Sequence, residues 1–159
     1  MIEVRLADYR DPVHARALVE LLDSYARDPA GGGTPLAPEV LASLPEALAA
    51  RAQAFSVLAY DGEQAVGLVN CIEGFSTFAC KPLVNVHDVV VLPTHRGQRI
   101  TQRMLACVEQ EARARGACKL TLEVLSANHS ALRAYVREGF ANYQLDPAYG
   151  QAMFLQKKL

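Results

Sequence analysis

Neither sign of charge is in excess in this chain of 159 residues. Its 16 lysines and arginines stand against 17 aspartates and glutamates, for a formal net charge of −1 and a pI near 6.4. Without a basic surplus there is no electrostatic case for nucleic acid as the main partner, and any basic site must be local. Long hydrophobic runs are missing too: no segment approaches the roughly 18 uninterrupted apolar residues of a membrane span. The opening MIEVRLADYR lacks the basic stretch, apolar core and cleavage-like site of a signal peptide. A soluble, cytoplasmic protein with no membrane partner is the expectation. Cysteine is scarce as well. Cys71, Cys80, Cys107 and Cys118 form no CxxC pair and have no histidine at metal spacing, so neither zinc nor a disulfide framework is expected. Cys107 and Cys118 fall on apolar faces of an expected helix and strand and read as inert thiols, whereas Cys80, beside Lys81-Pro82, is the one candidate for a reactive thiol.

What is present suits one buried core. With 51% hydrophobic and 21% charged residues, the chain is long enough for a single globular domain over 1–159 and too short for two. IEVRLA alternates apolar and polar and predicts a strand. Asp11-Pro12 then supplies a cap and a first-turn proline, and Val13, Leu18, Leu21, Leu22 and Tyr25 make one helical stripe to about Arg27. The glycine-rich DPAGGGTPLAP predicts a flexible loop, and an Ala-rich stretch from about Glu39 to Ala52 a second helix. Two apolar runs around Asp61-Gly62 predict an antiparallel hairpin. A loop EGFSTFACKP separates them from LVNVHDVVVL, which is too apolar for a sheet edge and is expected to be central. Ile100, Met104, Val108 and Ala112 predict a helix ending at Gly116; CKLTLEV predicts a strand; Asn128 caps a short helix stopped by Gly139; FANYQL and QAMFLQKKL predict two closing strands. This order describes a mixed α/β sandwich around one central sheet of about seven strands, flanked by about four helices.

The junction HRGQRIT, His95 to Thr101, carries the first chemical signal. A strand that breaks at an Arg-Gly turn and re-forms as a helix leaves the first helical N–H groups without internal partners, which suits a phosphate. Such sites are usually glycine-rich, yet Arg99 and Thr101 occupy two positions of this turn where small residues are expected. Arg96, Arg99 and Arg103 read either as a solvated charged face or as partners for an anion at the helix start.

Three pieces now follow in order: VVVLPTHRGQRI, KLTLEV and NHSALRAYVREGF. Together they resemble the GNAT superfamily of acyl-CoA N-acyltransferases over nearly the whole chain, most strongly from Val84 to Phe140. The resemblance implies a GNAT-type fold with a mixed, mostly antiparallel sheet, and an acetyl-CoA-dependent N-acetyltransferase without metal. It implies that main-chain groups of Arg96, Gly97, Gln98, Arg99, Ile100 and Thr101 hold the CoA pyrophosphate, that Val89, Val90 and Val91 bond the pantetheine arm, and that Asn128 and Tyr135 flank the thioester. Arg99 and Thr101 depart from the family's pattern of small residues.

The chemistry of amide formation assigns roles beside that resemblance. A lysine-type amine has a pKa near 10.4, so its proton must be removed before it attacks. A backbone N–H near Val91 can stabilise the carbonyl oxygen, and Tyr135, whose hydroxyl has a reference pKa about 1.5 units above a thiol, can protonate the leaving sulfur. Tyr135 can equally be a core aromatic, and Asn128 a helix cap only. For the base, His87 and Asp88 alternate to opposite faces of their strand. His87 shares a face with Val89 and Val91 in a regular strand, while a bulge transfers the assignment to Asp88; Glu123 and Glu73 are reserves. Phe75 and Phe78 are either satellite core or, together with Glu123, lining for an acceptor. The acceptor itself is open between a small-molecule amine and a protein or peptide amine, and a homodimer is among the open oligomeric states. Two alternatives remain beside direct transfer: a ping-pong route through Cys80, and a non-catalytic module that binds or senses acyl-CoA.

Overall fold

The computed structural model describes residues 1–143 and 145–159. Five strands form one sheet in the order of the chain: β1 (Ile2–Leu6), β2 (Ala54–Asp61), β3 (Gln64–Ser76), β4 (Lys81–Val91) and β5 (Leu120–Leu122). The first four pair antiparallel; β4 and β5 pair in parallel. Four α-helices accompany them: α1 (Pro12–Arg27), α2 (Pro38–Ala49), α3 (Ile100–Ala114) and α4 (His129–Arg137).

The helices form where the expected signals stand. Asp11 accepts a hydrogen bond from the Val13 N–H at 2.8 Å and Pro12 takes the first helical position, so α1 starts there and turns Ala17, Leu18, Leu21 and Ala26 inward. Those side chains cover Leu58, Tyr60, Leu68 and Val90 on one face of the sheet. On the other face, Ile100, Met104, Leu105, Val108 and Ala112 of α3 cover Val57, Val69, Val84 and Val86. Each Leu or Val wholly removed from water contributes about 1.5–3 kcal/mol, so both helices are held by packing more than by propensity.

Several elements end elsewhere than their local pattern implies. The hairpin β3–β4 is longer than expected: β3 runs to Ser76 and β4 begins at Lys81, so most of EGFSTFACKP is strand. α2 begins at Pro38 and stops at Ala49. β5 has only three residues, and Cys118, expected on a buried face, is exposed before it. Where about seven strands are expected, the described residues form five. No described residue of FANYQL or QAMFLQKKL is in a strand, and Gln144 of the first lies outside the described residues. Between the two segments the Asp146 carboxylate accepts from the Ala148 N–H, Pro147 opens a single 3₁₀ turn, and Gly150 takes a positive φ of 86°.

Candidate active site

The site begins with a parting of strands. β5 pairs with β4 only through Val84, Asn85 and Val86, so among the described residues no strand lies beside the outer edge of β4 from His87 to Val91. The Leu92 N–H bonds to the Val66 carbonyl on β3 at 2.9 Å. Alternation then turns the N–H and C=O of Val91, and of Val89, to the open edge. The Val91 carbonyl accordingly accepts from Arg96 Nε at 3.2 Å.

That edge walls a cleft of about 1010 Å³, bounded also by the end of α1, the start of α3 and the inner side of α4. Among the expected cofactor residues, Val89, Val90, Val91, Arg96, Gly97, Arg99, Ile100, Thr101, Asn128 and Tyr135 all line it; Gln98 does not. At its phosphate-like end the backbone is concave. Gly97 and Arg99 both take left-handed φ, 80° and 58°, and Arg99 precedes α3 with no side-chain cap. The first helical bond joins the Arg103 N–H to the Arg99 carbonyl at 3.2 Å. The N–H groups of Ile100, Thr101 and Gln102 are therefore free of partners within the helix, and they face the positive end of its dipole.

Five arginines line the cleft: Arg27 from α1, Arg96 and Arg99 from the turn, and Arg133 and Arg137 from α4. The α4 pair was not among the expected residues, although its spacing of four on a helix with an apolar opposite side places both on one face. Arg103 does not join them. It donates to the Ile2 carbonyl at 2.7 Å, tying α3 to β1 instead of reaching the turn. Asp28 stands opposite, 3.8 Å from Arg96, and so spans the cleft mouth.

Tyr135 is buried at the inner end, with its ring edge-on to Phe140 at 6.0 Å between centroids. Burial pushes its hydroxyl up to about 12, with a smaller contribution from Tyr25. It therefore has both alternative characters at once, a core aromatic and a cleft-lining hydroxyl. Asn128 does too: its side chain caps α4 by accepting from the Ala131 N–H at 3.2 Å, and it lines the cleft. Tyr25, missing from the expected set, lines the same cleft; burial raises its pKa first, and the nearby Asp88 charge adds to that.

The two base candidates are separated by a bulge. Asn70 pairs with Asp88 and Cys71 with Val86, so His87 is the extra residue in β4. Val89 and Val91 therefore continue the α3-facing set of Val84 and Val86, which a regular strand would forbid, and His87, the extra residue, is exposed outside that set. Asp88 turns to the α1 face, one residue before the stretch of β4 that walls the cleft, and is itself not among the residues that line the cleft. Its Oδ2 accepts from Asn70 Nδ2 at 3.1 Å.

The other expected residues lie apart from this place. Phe75 and Phe78 are exposed at the tip of the β3–β4 hairpin, where Phe75 pairs with Pro82. Pro82 is nine strand residues before Val91, about 30 Å along β4, so a longer hairpin than expected carries both rings away from the cleft. Cys80, at φ 51°, sits in the same tip. Glu123 is exposed and outside the cleft lining. Glu73 is engaged by Arg115 at 3.0 Å, within a cluster that includes Glu111.

Comparison with known proteins gives this geometry a place. Over 90 residues, 55% of this chain and 48% of the relative, the sequence is 38% identical to the streptothricin acetyltransferase of Streptomyces lavendulae. Over 83 residues, 52% of this chain and 54% of the relative, it is 34% identical to the aminoalkylphosphonate N-acetyltransferase of Salmonella typhimurium strain LT2. The chain thus spans about half the length of each of these two relatives. In three dimensions it is similar to the aminoglycoside N-acetyltransferase AAC(6')-Iy solved in complex with CoA, with a TM-score of 0.75, 15% identity, and coverage of 100% of this chain and 96% of the other. The acetyltransferase (GNAT) family model matches residues 15–140, from the first turn of α1 to the residue packed on Tyr135. The chain belongs to that family.

Proposed function

We propose that this chain transfers an acetyl group from acetyl-CoA to a primary amine by direct attack in a ternary complex. The observation that carries the reading is the open outer edge of β4, running from Val89 and Val91 straight into the uncapped start of α3 inside one arginine-lined cleft. The fit to a long ligand with an anionic end is chemical. The β4 edge offers amide-compatible N–H and C=O groups, the turn offers free N–H groups, and the arginines neutralise phosphate charge. Arg99 and Thr101 then serve the pyrophosphate through side chain and hydroxyl or N–H, while Arg133 and Arg137 supply further positive charge from α4.

The cosubstrate supplies an activated acyl carbon. The remaining work falls to the chain's own groups. Asp88 takes the proton that the attacking amine must lose, the new N–C bond forms as C–S breaks, and the Tyr135 hydroxyl gives its proton to the departing sulfur. The Val91 N–H, aimed at the open edge, stabilises the carbonyl oxygen as charge develops there. A Tyr135 hydroxyl raised by burial stays protonated wherever an amine is nucleophilic, so its proton is present when the sulfur departs. Cys80, at the far hairpin tip, has no place in this scheme.

The acceptor is a small-molecule amine, the class named for the two relatives, and the setting is cytoplasmic. The test is a thiol-release assay with acetyl-CoA and streptothricin, 2-aminoethylphosphonate, kanamycin and a peptide N-terminus. Stoichiometric thiol release and acetylation of one of the small amines is expected. Tight acetyl-CoA binding with no turnover on any amine would favour the second reading, a non-catalytic acyl-CoA-binding module, for which the left-handed Arg99 in place of a small residue is the specific observation.

A further inference from the structure

Ser56 and Asn70 are polar residues buried in the sheet, 1% and 8% exposed, on the face that α1 covers with leucines. Burying polar groups there costs stability unless they bond to one another, and two apolar residues would serve the packing at least as well. They do bond, in one row. Ser56 pairs across strands with Asn70, and Asn70 with Asp88. Ser56 Oγ donates to Asn70 Oδ1 at 2.6 Å, and Asn70 Nδ2 donates to Asp88 Oδ2 at 3.1 Å. Since the single Ser56 proton is used, Tyr9, 2.8 Å away on the loop after β1, donates to Ser56 Oγ. Every proton in the row therefore points toward the Asp88 carboxylate. The row exists because of the bulge at His87: with β4 regular beyond Val86, His87 would stand opposite Asn70 instead.

We infer that Asn70, held by Ser56 and Tyr9, is the positioning residue of Asp88: it occupies Oδ2 and leaves Oδ1 to receive the proton of the acceptor amine. This rests on the reading of Asp88 as the base. Asn70, Ser56 and Tyr9 touch no reactant in this scheme, so their effects must pass through Asp88.

The test is a double-mutant cycle with acetyl-CoA and the amine that the wild type acetylates fastest. Asn70→Leu should lower kcat by roughly 10- to 100-fold, the worth of a hydrogen bond to a charged group, and leave the KM for acetyl-CoA within about twofold. In an Asp88→Ala background it should cause no further loss. Tyr9→Phe and Ser56→Ala, which keep the fold more safely, should each lower kcat several-fold in the same pattern. A readout independent of turnover is the ¹³C carboxylate resonance of Asp88, assigned by its disappearance in Asp88→Ala: it should shift in Tyr9→Phe, although Tyr9 does not touch Asp88. Equal losses from Asn70→Leu in both backgrounds, or an unmoved resonance in Tyr9→Phe, would reduce the row to a structural feature and overturn the inference. Wild-type kcat in Asp88→Ala would instead overturn the base assignment itself, and the resonance would then report the row alone.

Discussion

At the scale of single residues, three side chains have sharply different consequences. Tyr135→Phe removes one oxygen from a buried ring that keeps its packing against Phe140. It should lower kcat about 10²- to 10⁴-fold while acetyl-CoA affinity stays within a few-fold, because the proton donor acts in the transition state. Single-turnover rates equal to wild type would remove Tyr135 as the acid. His87 and Asp88 separate just as cleanly. With His87 exposed and Asp88 turned inward by the bulge, Asp88→Asn should abolish the acidic limb of the kcat/KM profile and His87→Ala should leave it in place; the reverse result would return the role to His87. Arg99 acts on two quantities of opposite sign. Its left-handed φ of 58° costs about 1–2 kcal/mol in a residue with a Cβ, so Arg99→Gly should relieve strain and hold or raise the urea midpoint. On the proposed reading the same change deletes a charge-assisted phosphate contact of about 1.5–3 kcal/mol, so calorimetry should find CoA bound roughly 10- to 100-fold more weakly and with a smaller salt dependence. Tighter binding by the glycine variant would mark Arg99 as a liability.

At the scale of elements, the packing of α3 on the sheet leaves no room at one point of β3. A Cβ at Gly67 would lie 2.9 Å from Met104 Sδ, 3.0 Å from Met104 Cε and 3.2 Å from Ala59 Cβ. Met104 is fully buried and Ala59 lies on a neighbouring strand, so neither can withdraw freely. Gly67→Ala should therefore destabilise the fold by about 1–3 kcal/mol through overpacking, lowering the thermal midpoint by several degrees. An unchanged midpoint would mean that the Met104 thioether shifts without cost. Since Gly67 pairs with Val91, the same substitution presses on the strand edge that walls the cleft. A loss of CoA affinity beyond the loss of stability would show that α3 packing sets the position of that edge.

For the whole molecule, the titrations that burial has displaced set the limits of stability. Burial pushes the Cys71 thiol and the Tyr135 hydroxyl each up to about 12, and raises Tyr9, Tyr25 and Tyr60 as well. Groups that are neutral when protonated and hold their protons more tightly in the folded state leave stability whole below their unfolded values, near pH 9 to 10. The unfolded chain then loses protons first, and stability declines as pH rises toward about 12. On the acid side, Asp23 is lowered by its Arg27 partner and Asp61 by the terminal amine, so their contributions are present above about pH 4 and fade below it. Both are half-buried carboxylates whose partners, Arg27 and the terminal amine, stand in solvent, so each contributes little. Thermal melts should therefore be nearly flat from about pH 5 to 8 and fall steeply above pH 9, more shallowly in Tyr135→Phe. A midpoint that held to pH 11 would contradict the burial of these groups.

Local chemistry alone determined the parts of this protein that depend on neighbours in the chain. Asp11-Pro12 starts α1, the glycine-bounded turn after Asp61 makes the β2–β3 hairpin, Gly97 opens the strand-to-helix turn, and Asn128 starts α4, because caps, turns and helical stripes are written in adjacent residues. The strand, turn and helix start that line the cleft were legible for the same reason: they follow one another without a gap from Val89 to Thr101. What only the tertiary structure decided depends on pairing between distant strands. The bulge that turns Asp88 to the α1 face is a property of β3 and β4 together, and nothing within VNVHDVVV reveals it. Likewise, Ser56, Asn70 and Asp88 become one row, Phe75 and Phe78 leave the cleft, and Arg103 turns to Ile2, because register and helix docking assign neighbours far apart in the chain. A shift of one residue in a strand exchanges every side chain between its faces.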